Sequence, residues 1–215
     1  MTRTTVLLDL DGTLSESEPG IVGSLAEALT AEGLALPSPE VLRTTIGPPF
    51  ALGLPAIGVP ADRVDGVVRR YRARYGATGL FETTLYAGVV DMLAALRRGG
   101  MVLALATSKP EDSALRVVAH LGIADHLDAV AGADIELGRV DKASVIARAL
   151  ELVGVDPGPE VVMVGDRHHD VDGARAHGID TIVAAWGYGT PDEHLSAAPY
   201  AVARTPADVV RLILG

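Results

Sequence analysis

The segment Asp9-Leu10-Asp11-Gly12-Thr13-Leu14 follows the apolar run Val6-Leu7-Leu8. Two aspartates two residues apart at the carboxyl end of a buried strand lie where open α/β sheets bind their ligands. The plain alternative is a strand ending in an Asp-Gly turn. Asp9, however, interrupts the apolar run while still in strand register, and a buried carboxylate needs a partner, for which a divalent cation is economical. Such a pair also permits covalent chemistry, one carboxylate attacking phosphorus while the other shuttles a proton to the leaving group. A second signal is Gly165-Asp166-Arg167-His168-His169-Asp170, directly after the apolar run 161–164. Asp166 and Asp170 span a loop-to-helix junction and can reach one hard cation directly or through water. Capping of the next helix by Asp170 is the competing explanation, and both can hold. Four carboxylates from two strand ends, Asp9, Asp11, Asp166 and Asp170, point to a Mg²⁺ site.

Thr107 and Ser108 stand in Ala106-Thr107-Ser108-Lys109-Pro110, after an apolar stretch. Their hydroxyls and backbone N–H groups, at a helix N-terminus, form a phosphate cradle, with ordinary N-capping as the alternative. Lys142 opens a helical stretch, where a cation opposes the helix dipole. A compact positive charge turned into an anionic pocket makes sense of that position; pairing with Asp141 is the simpler account. His168 and His169 have no third nitrogen ligand in view and read as loop residues.

These groups need a scaffold that brings them together. Apolar runs at 6–8, 101–106, 161–164 and 181–184 alternate with helix-period segments at 89–98, 113–121, 142–153 and 171–177, and a final helix is expected at 206–214. That alternation indicates βαβ units, and so an α/β fold with a doubly wound parallel sheet. Between about Glu16 and Glu82 only helical patterns occur, at 21–31, 39–44, 50–57 and 61–75. The expected division is a core of residues 1–15 and 83–215 with an inserted helical cap domain of residues 16–82, hinged at 13–17 and 82–88.

Composition removes several classes of function. The chain has no cysteine, which excludes disulfides, thiol catalysis, iron–sulfur clusters and zinc ribbons. A net charge of −10 disfavours nucleic acid and anionic membranes as partners. No segment approaches the roughly 18 apolar residues that cross a bilayer, and the first residues are unlike a signal peptide, so a cytoplasmic location is the expectation. Oligomeric state leaves no mark in the sequence. The 18 basic residues comprise sixteen arginines and only two lysines, Lys109 and Lys142.

Asp-x-Asp-Gly-Thr, then Thr-Ser, then Lys, then Gly-Asp-x-x-x-Asp, in that order on successive strands, resembles the haloacid dehalogenase superfamily over essentially the whole chain. Within it the chain looks like the phosphoglycolate phosphatase-like group with a helical cap after the first motif. Gly178-Ile179-Asp180 and Trp186-Gly187-Tyr188-Gly189 are similar to members described as 5′-nucleotidase-like. Thr45-Ile46-Gly47-Pro48-Pro49 looks like the group's specificity loop.

The resemblance implies Asp9 as nucleophile, forming an aspartyl-phosphate, and Asp11 as general acid and then base, with its backbone carbonyl on Mg²⁺. It implies that Thr107 and Lys142 hold the phosphoryl oxygens, that Asp166 ligates Mg²⁺ and that Asp170 supports it. Substrate contacts are expected at Gly12, Thr107, Ser108, Ile46 and Gly47. The activity implied is Mg²⁺-dependent hydrolysis of a small phosphorylated metabolite. A phosphomutase of the same fold is the nearest rival, and a non-catalytic phosphate-binding or signalling protein stands further off. A dehalogenase is disfavoured, because halide displacement has no need of the acid that Asp11 supplies.

Overall fold

The structure, a computed structural model, describes residues 3–47 and 50–215. Its strands are β1 (Thr5–Leu8), β2 (Ser15–Glu16), β3 (Thr84–Leu85), β4 (Val102–Pro110), β5 (Ala129–Ala133), β6 (Val161–Gly165), β7 (Asp180–Ala184) and β8 (Ala201–Ala203). Its helices are α1 (Glu18–Ala31), α2 (Pro39–Arg43), α3 (Phe50–Ala56), α4 (Val64–Ala77), α5 (Val89–Arg98), α6 (Glu111–His120), α7 (Lys142–Val153), α8 (His168–Arg175), α9 (Pro191–Ala197) and α10 (Pro206–Leu214). Two compact units result, one of Met1–Glu16 with Leu85–Gly215 and one of Ser17–Thr84.

The larger unit is built on six strands in the order β5-β4-β1-β6-β7-β8, with every pairing parallel. After β1 the chain first builds β4 and β5 on one side, then β6, β7 and β8 on the other. β1 therefore lies at the switch point, and the crevice outside the carboxyl ends of β4, β1 and β6 is where such a sheet takes a ligand. The central strands are buried on both faces, which is why they read as continuous apolar runs. Leu7 joins Ala104, Ala131 and Met163 under Val145, Ile146 and Ala149 of α7. Val6 and Leu8 point the other way by strand alternation and are equally buried.

The smaller unit is helical. Helix α1 packs on α4, and Ser24 of α1 donates to Gly20 O beside the backbone of Gly79, where a Cβ on Gly20 would lie 2.0 Å from Gly79 O. Charged groups tie its surface, Arg74 to Glu82 and Glu27, and Arg63 and Arg70 to Glu32. Phe50 meets Tyr71 edge-on at 4.4 Å, and Tyr75 stacks on Tyr71 at 5.1 Å. Among the described residues no helix is long and apolar enough to cross a membrane.

Two strands fall outside the expected apolar runs, and other local expectations are corrected. Strands β5 and β8 run Ala-Val-Ala-Gly-Ala and Ala-Val-Ala, small residues with little strand propensity that serve as the two edges of the sheet. Strand β4 continues to Pro110, and α6 starts only at Glu111. Thr107 and Ser108 are therefore strand residues, not caps of a helix. His168 and His169 open α8 instead of standing in a loop. The start of that helix is held by Glu193, which accepts from the His168 backbone N–H at 2.9 Å and from Arg167 Nε at 2.9 Å, and lies 2.6 Å from His168 Nδ1.

Candidate active site

Strand β1 delivers Asp9 one residue past its end. The Asp9 N–H still donates to Val164 O at 2.9 Å, so the residue keeps strand register with β6 and its side chain stays buried. The chain then turns sharply. Thr13, Leu14 and Ser15 donate to Leu10 O, and Gly12 sits at φ 87°. Glycine is required here for two reasons: the left-handed backbone, and an added Cβ that would meet Asp166 Oδ2 at 2.4 Å.

Strand β6 delivers Asp166, which is fully buried. Its Oδ2 accepts the Tyr188 N–H at 2.6 Å and its Oδ1 accepts the Thr13 hydroxyl at 3.4 Å. Asp170 lies in the first turn of α8, where its Oδ2 accepts the Arg167 N–H at 3.0 Å. It thus supports the helix start and still presents Oδ1 to the site. Gly165 and Gly187 let these acids approach the backbone, since a Cβ would lie 2.2 Å from Asp170 Cγ or 2.4 Å from Asp166 Cβ.

Both lysines of the chain are turned into this acidic cluster. Lys142 Nζ lies 2.8 Å from Asp9 Oδ1 and 2.6 Å from Asp170 Oδ1, and donates to Ala106 O at 3.0 Å. The contact to Asp170 Oδ1 is an ion pair without hydrogen-bond geometry. Asp141 does not pair with Lys142; it caps α7 by accepting the Ser144 N–H at 2.7 Å. Lys109 Nζ lies 2.7 Å from Asp11 Oδ2. The register between β4 and β5 shifts between Ala106 and Pro110, and in that stretch Thr107 and Lys109 are buried while Ser108 is exposed. Such irregularities re-aim side chains near sites.

Burial pushes the Asp9 carboxyl up to about 6, against the pull of Lys142 and with the help of Asp170 and Asp11. Burial, with the charges of Asp170 and Asp9, also holds Asp166 well above the usual carboxylate range. For Lys142, burial disfavours the charged form, but Asp170 and Asp9 outweigh it and hold the ammonium above its ordinary value. Three buried carboxyls face the single ammonium of Lys142, so when all three are ionised they carry more negative charge than that lysine neutralises. Asp9, Asp166 and Asp170 each offer an oxygen, all within 4.8 Å of one another. An all-oxygen donor set with excess negative charge fits a hard divalent cation such as Mg²⁺. The Asp11 carboxylate is not in that set and faces Lys109 instead.

The remaining expected positions are spread more widely. The Thr107 hydroxyl accepts the Lys109 N–H at 3.2 Å, beside the cluster. Ile46 is buried in the smaller unit, and Gly47 follows it, exposed and at φ 104°. Pro48 and Pro49 lie outside the described residues. Lys109 is a site residue that motif reasoning passes over, although its rarity and its place directly after Thr107-Ser108 could have marked it. Tyr188 and Glu16, joined at 2.9 Å between Tyr188 OH and Glu16 Oε1, have no such local signal.

Known proteins resemble this chain in sequence and in fold. A sequence profile described as "Haloacid dehalogenase-like hydrolase" matches residues 6–184. The chain is 45% identical over 188 residues to the tyrosine-protein kinase PtkA of Mycobacterium tuberculosis, covering 87% of this chain and 64% of that relative, so it spans less than two thirds of that protein's length. It is 34% identical over 189 residues to a 5′-nucleotidase of Pseudomonas aeruginosa, covering 87% of this chain and 85% of the relative. A haloacid dehalogenase-like family hydrolase from Streptococcus pneumoniae superposes with a TM-score of 0.92 at 29% identity, covering 98% of each chain.

Proposed function

Because the chain belongs to the haloacid dehalogenase-like hydrolase family, we propose that it is a Mg²⁺-dependent phosphatase that hydrolyses a small phosphorylated metabolite through an aspartyl-phosphate. One observation carries this reading: at the carboxyl end of β1, Lys142 Nζ stands within 2.8 Å of Asp9 Oδ1 and 2.6 Å of Asp170 Oδ1, inside a group of three buried carboxylates. Asp9, Asp166 and Asp170 would hold Mg²⁺, with the Asp11 carbonyl. The bound ion would draw negative charge from the transferring phosphoryl oxygens.

In the first half-reaction an Asp9 carboxylate oxygen attacks phosphorus, the ester P–O bond breaks, and Asp11 gives its proton to the departing oxygen. In the second, Asp11 takes a proton from water, the resulting oxygen attacks phosphorus, and the bond to Asp9 breaks, releasing phosphate. Lys142 orients Asp9 and offsets charge on the phosphoryl group, and Thr107 donates to one of its oxygens. Positioning and electrostatics supply most of the rate in phosphoryl transfer. Residues 16–82 act as the cap, with Ile46 and Gly47 contributing to specificity, and the enzyme works in the cytoplasm. The likeness to a 5′-nucleotidase supports a phosphomonoester substrate.

The likeness to tyrosine-protein kinase PtkA favours a second reading, in which phosphoryl groups pass to an acceptor hydroxyl other than water. One experiment addresses both: a panel of phosphomonoesters with and without Mg²⁺, with Asp9→Asn as the blank. Mg²⁺-dependent release of phosphate by the wild type alone supports hydrolysis. Label recovered on an acceptor, without free phosphate, replaces hydrolysis with transfer; no turnover in either form overturns both.

A further inference from the structure

The loop after β7, Trp186-Gly187-Tyr188-Gly189, touches Asp166 at several points. The Tyr188 N–H donates to Asp166 Oδ2 at 2.6 Å. Glycines flank it because the backbones nearly touch: a Cβ on Gly187 would lie 2.2 Å from Gly12 O, and one on Gly189 would lie 2.1 Å from Asp166 O. The Trp186 indole donates to Thr13 O at 3.0 Å, and Thr13 is the residue whose hydroxyl bonds Asp166 Oδ1. The loop therefore sets how the Asp166 carboxylate is oriented.

What fixes the loop is the other end of the tyrosine. Tyr188 OH donates to Glu16 Oε1 at 2.9 Å, and Tyr86 OH donates to Glu16 Oε2 at 3.0 Å. Both oxygens of one carboxylate are thus held by phenols. Glu16 closes the first segment of the larger unit, and Tyr86 lies at the start of its second segment. Tyr86 is itself pinned, its N–H donating to Leu14 O at 3.1 Å. Burial, with the nearby Tyr188 and Glu16, holds the Tyr86 phenol far above its ordinary range, so it stays a donor.

We infer that Tyr188 is a positioning residue for the metal ligand Asp166, and that Glu16, clamped by Tyr86, anchors it. The inference rests on the Mg²⁺ reading above. Groups that orient a metal ligand without touching the ion typically contribute about 10–100-fold in affinity. Removing the Tyr188 hydroxyl leaves the Tyr188 N–H bond to Asp166 possible but no longer fixed in place, so the loss should fall on metal affinity and not on the fold.

The test is Mn²⁺ binding to the full chain without substrate, followed by electron paramagnetic resonance, for the wild type, Tyr188→Phe, Glu16→Gln and the double variant. Expected are roughly 10-fold weaker binding in each single variant and a double variant no weaker than the worse single, because the two act as one unit. Metal-free melting should stay close to wild type, and the Mg²⁺ concentration for half-maximal rate should rise while kcat at saturating Mg²⁺ holds. Wild-type binding with unchanged affinity in Tyr188→Phe, or additive losses, overturns the inference alone. A wild type that binds no Mn²⁺ overturns the metal reading and this inference with it. Should Tyr188→Phe fail to fold, Tyr86→Phe makes the same comparison from the other oxygen of Glu16: weaker binding supports the anchor, unchanged binding overturns it.

Discussion

Lys109 Nζ lies 2.7 Å from Asp11 Oδ2, with the lysine side chain 4% exposed and the aspartate side chain 17% exposed. The Asp11 carboxylate lies close enough to Asp9 for its charge to be felt there, yet it stands outside the three-carboxylate set. In the proposed mechanism Asp11 exchanges a proton first with the leaving oxygen and then with water, so the residue that holds it should matter to both half-reactions. Lys109→Met is therefore expected to lower kcat by about 10-fold or more, short of the roughly 10²–10⁴-fold that loss of the acid–base group itself would cost. Stability should fall by roughly 1–3 kcal/mol, less than for a fully buried pair, because Asp11 keeps some access to water. Steady-state kinetics beside a urea titration checks this; a kcat within twofold of wild type sinks the assignment.

How far the sequence alone reveals the site follows from where its parts lie. Asp9, Asp166 and Lys142 stand at the ends of strands or the start of a helix whose periodicity is strong, so the topology alone predicts that they converge. The parallel sheet is legible for the same reason, except at β5 and β8, whose alanines carry little strand signal. The Tyr188–Glu16 and Tyr86–Glu16 bonds join residues 172 and 70 positions apart. No window of local pattern contains them, and only the folded chain brings them together. Thr107 and Ser108 mislead in a different way: hydroxyls before Glu111 look like helix caps, but Pro110 extends the strand pairing up to the helix.

Lys142 neutralises two buried acids at once, so its removal should cost more than loss of a surface pair. Lys142→Met leaves Asp9 and Asp170 buried without their ammonium, at a cost of roughly 3–5 kcal/mol. Added Mg²⁺ should restore part of that stability, since it supplies the missing positive charge. Hydrolysis should remain about 10²–10³-fold below wild type, the scale for losing one preorganised stabilising group. A denaturation midpoint that does not move would show that Lys142 does not neutralise the pair.

Gly12→Ala should be far worse than an alanine substitution in an ordinary turn. The backbone at φ 87° is strained for any residue with a Cβ, and that atom would also sit 2.4 Å from Asp166 Oδ2. The carboxylate must turn away or the loop must open. We expect about 2–4 kcal/mol of destabilisation and loss of Mn²⁺ binding in whatever fraction folds. Thermal melting with a metal titration reads both, and a Gly12→Ala variant that binds Mn²⁺ normally contradicts the geometry.

The pH dependence follows from Asp9, whose carboxyl is raised from 3.8 to about 6 in the metal-free protein. A raised acid stabilises the fold below its unfolded value and loses that contribution as pH climbs through its folded value. Metal-free protein should therefore lose stability between about pH 4 and pH 6 on this account. Mg²⁺ has the opposite preference, because it binds the ionised carboxylate and must displace the proton at lower pH. At pH 7.5 a concentration of 100 times Kd should add about 2.7 kcal/mol of stability. At pH 5 the same concentration should add clearly less, because Asp9 is then mostly protonated and Asp166 is raised as well. Calorimetric melts at both pH values, with and without Mg²⁺, measure the difference. A stabilisation by Mg²⁺ that is equal at pH 5 and pH 7.5 would mean that the ion does not meet these carboxylates.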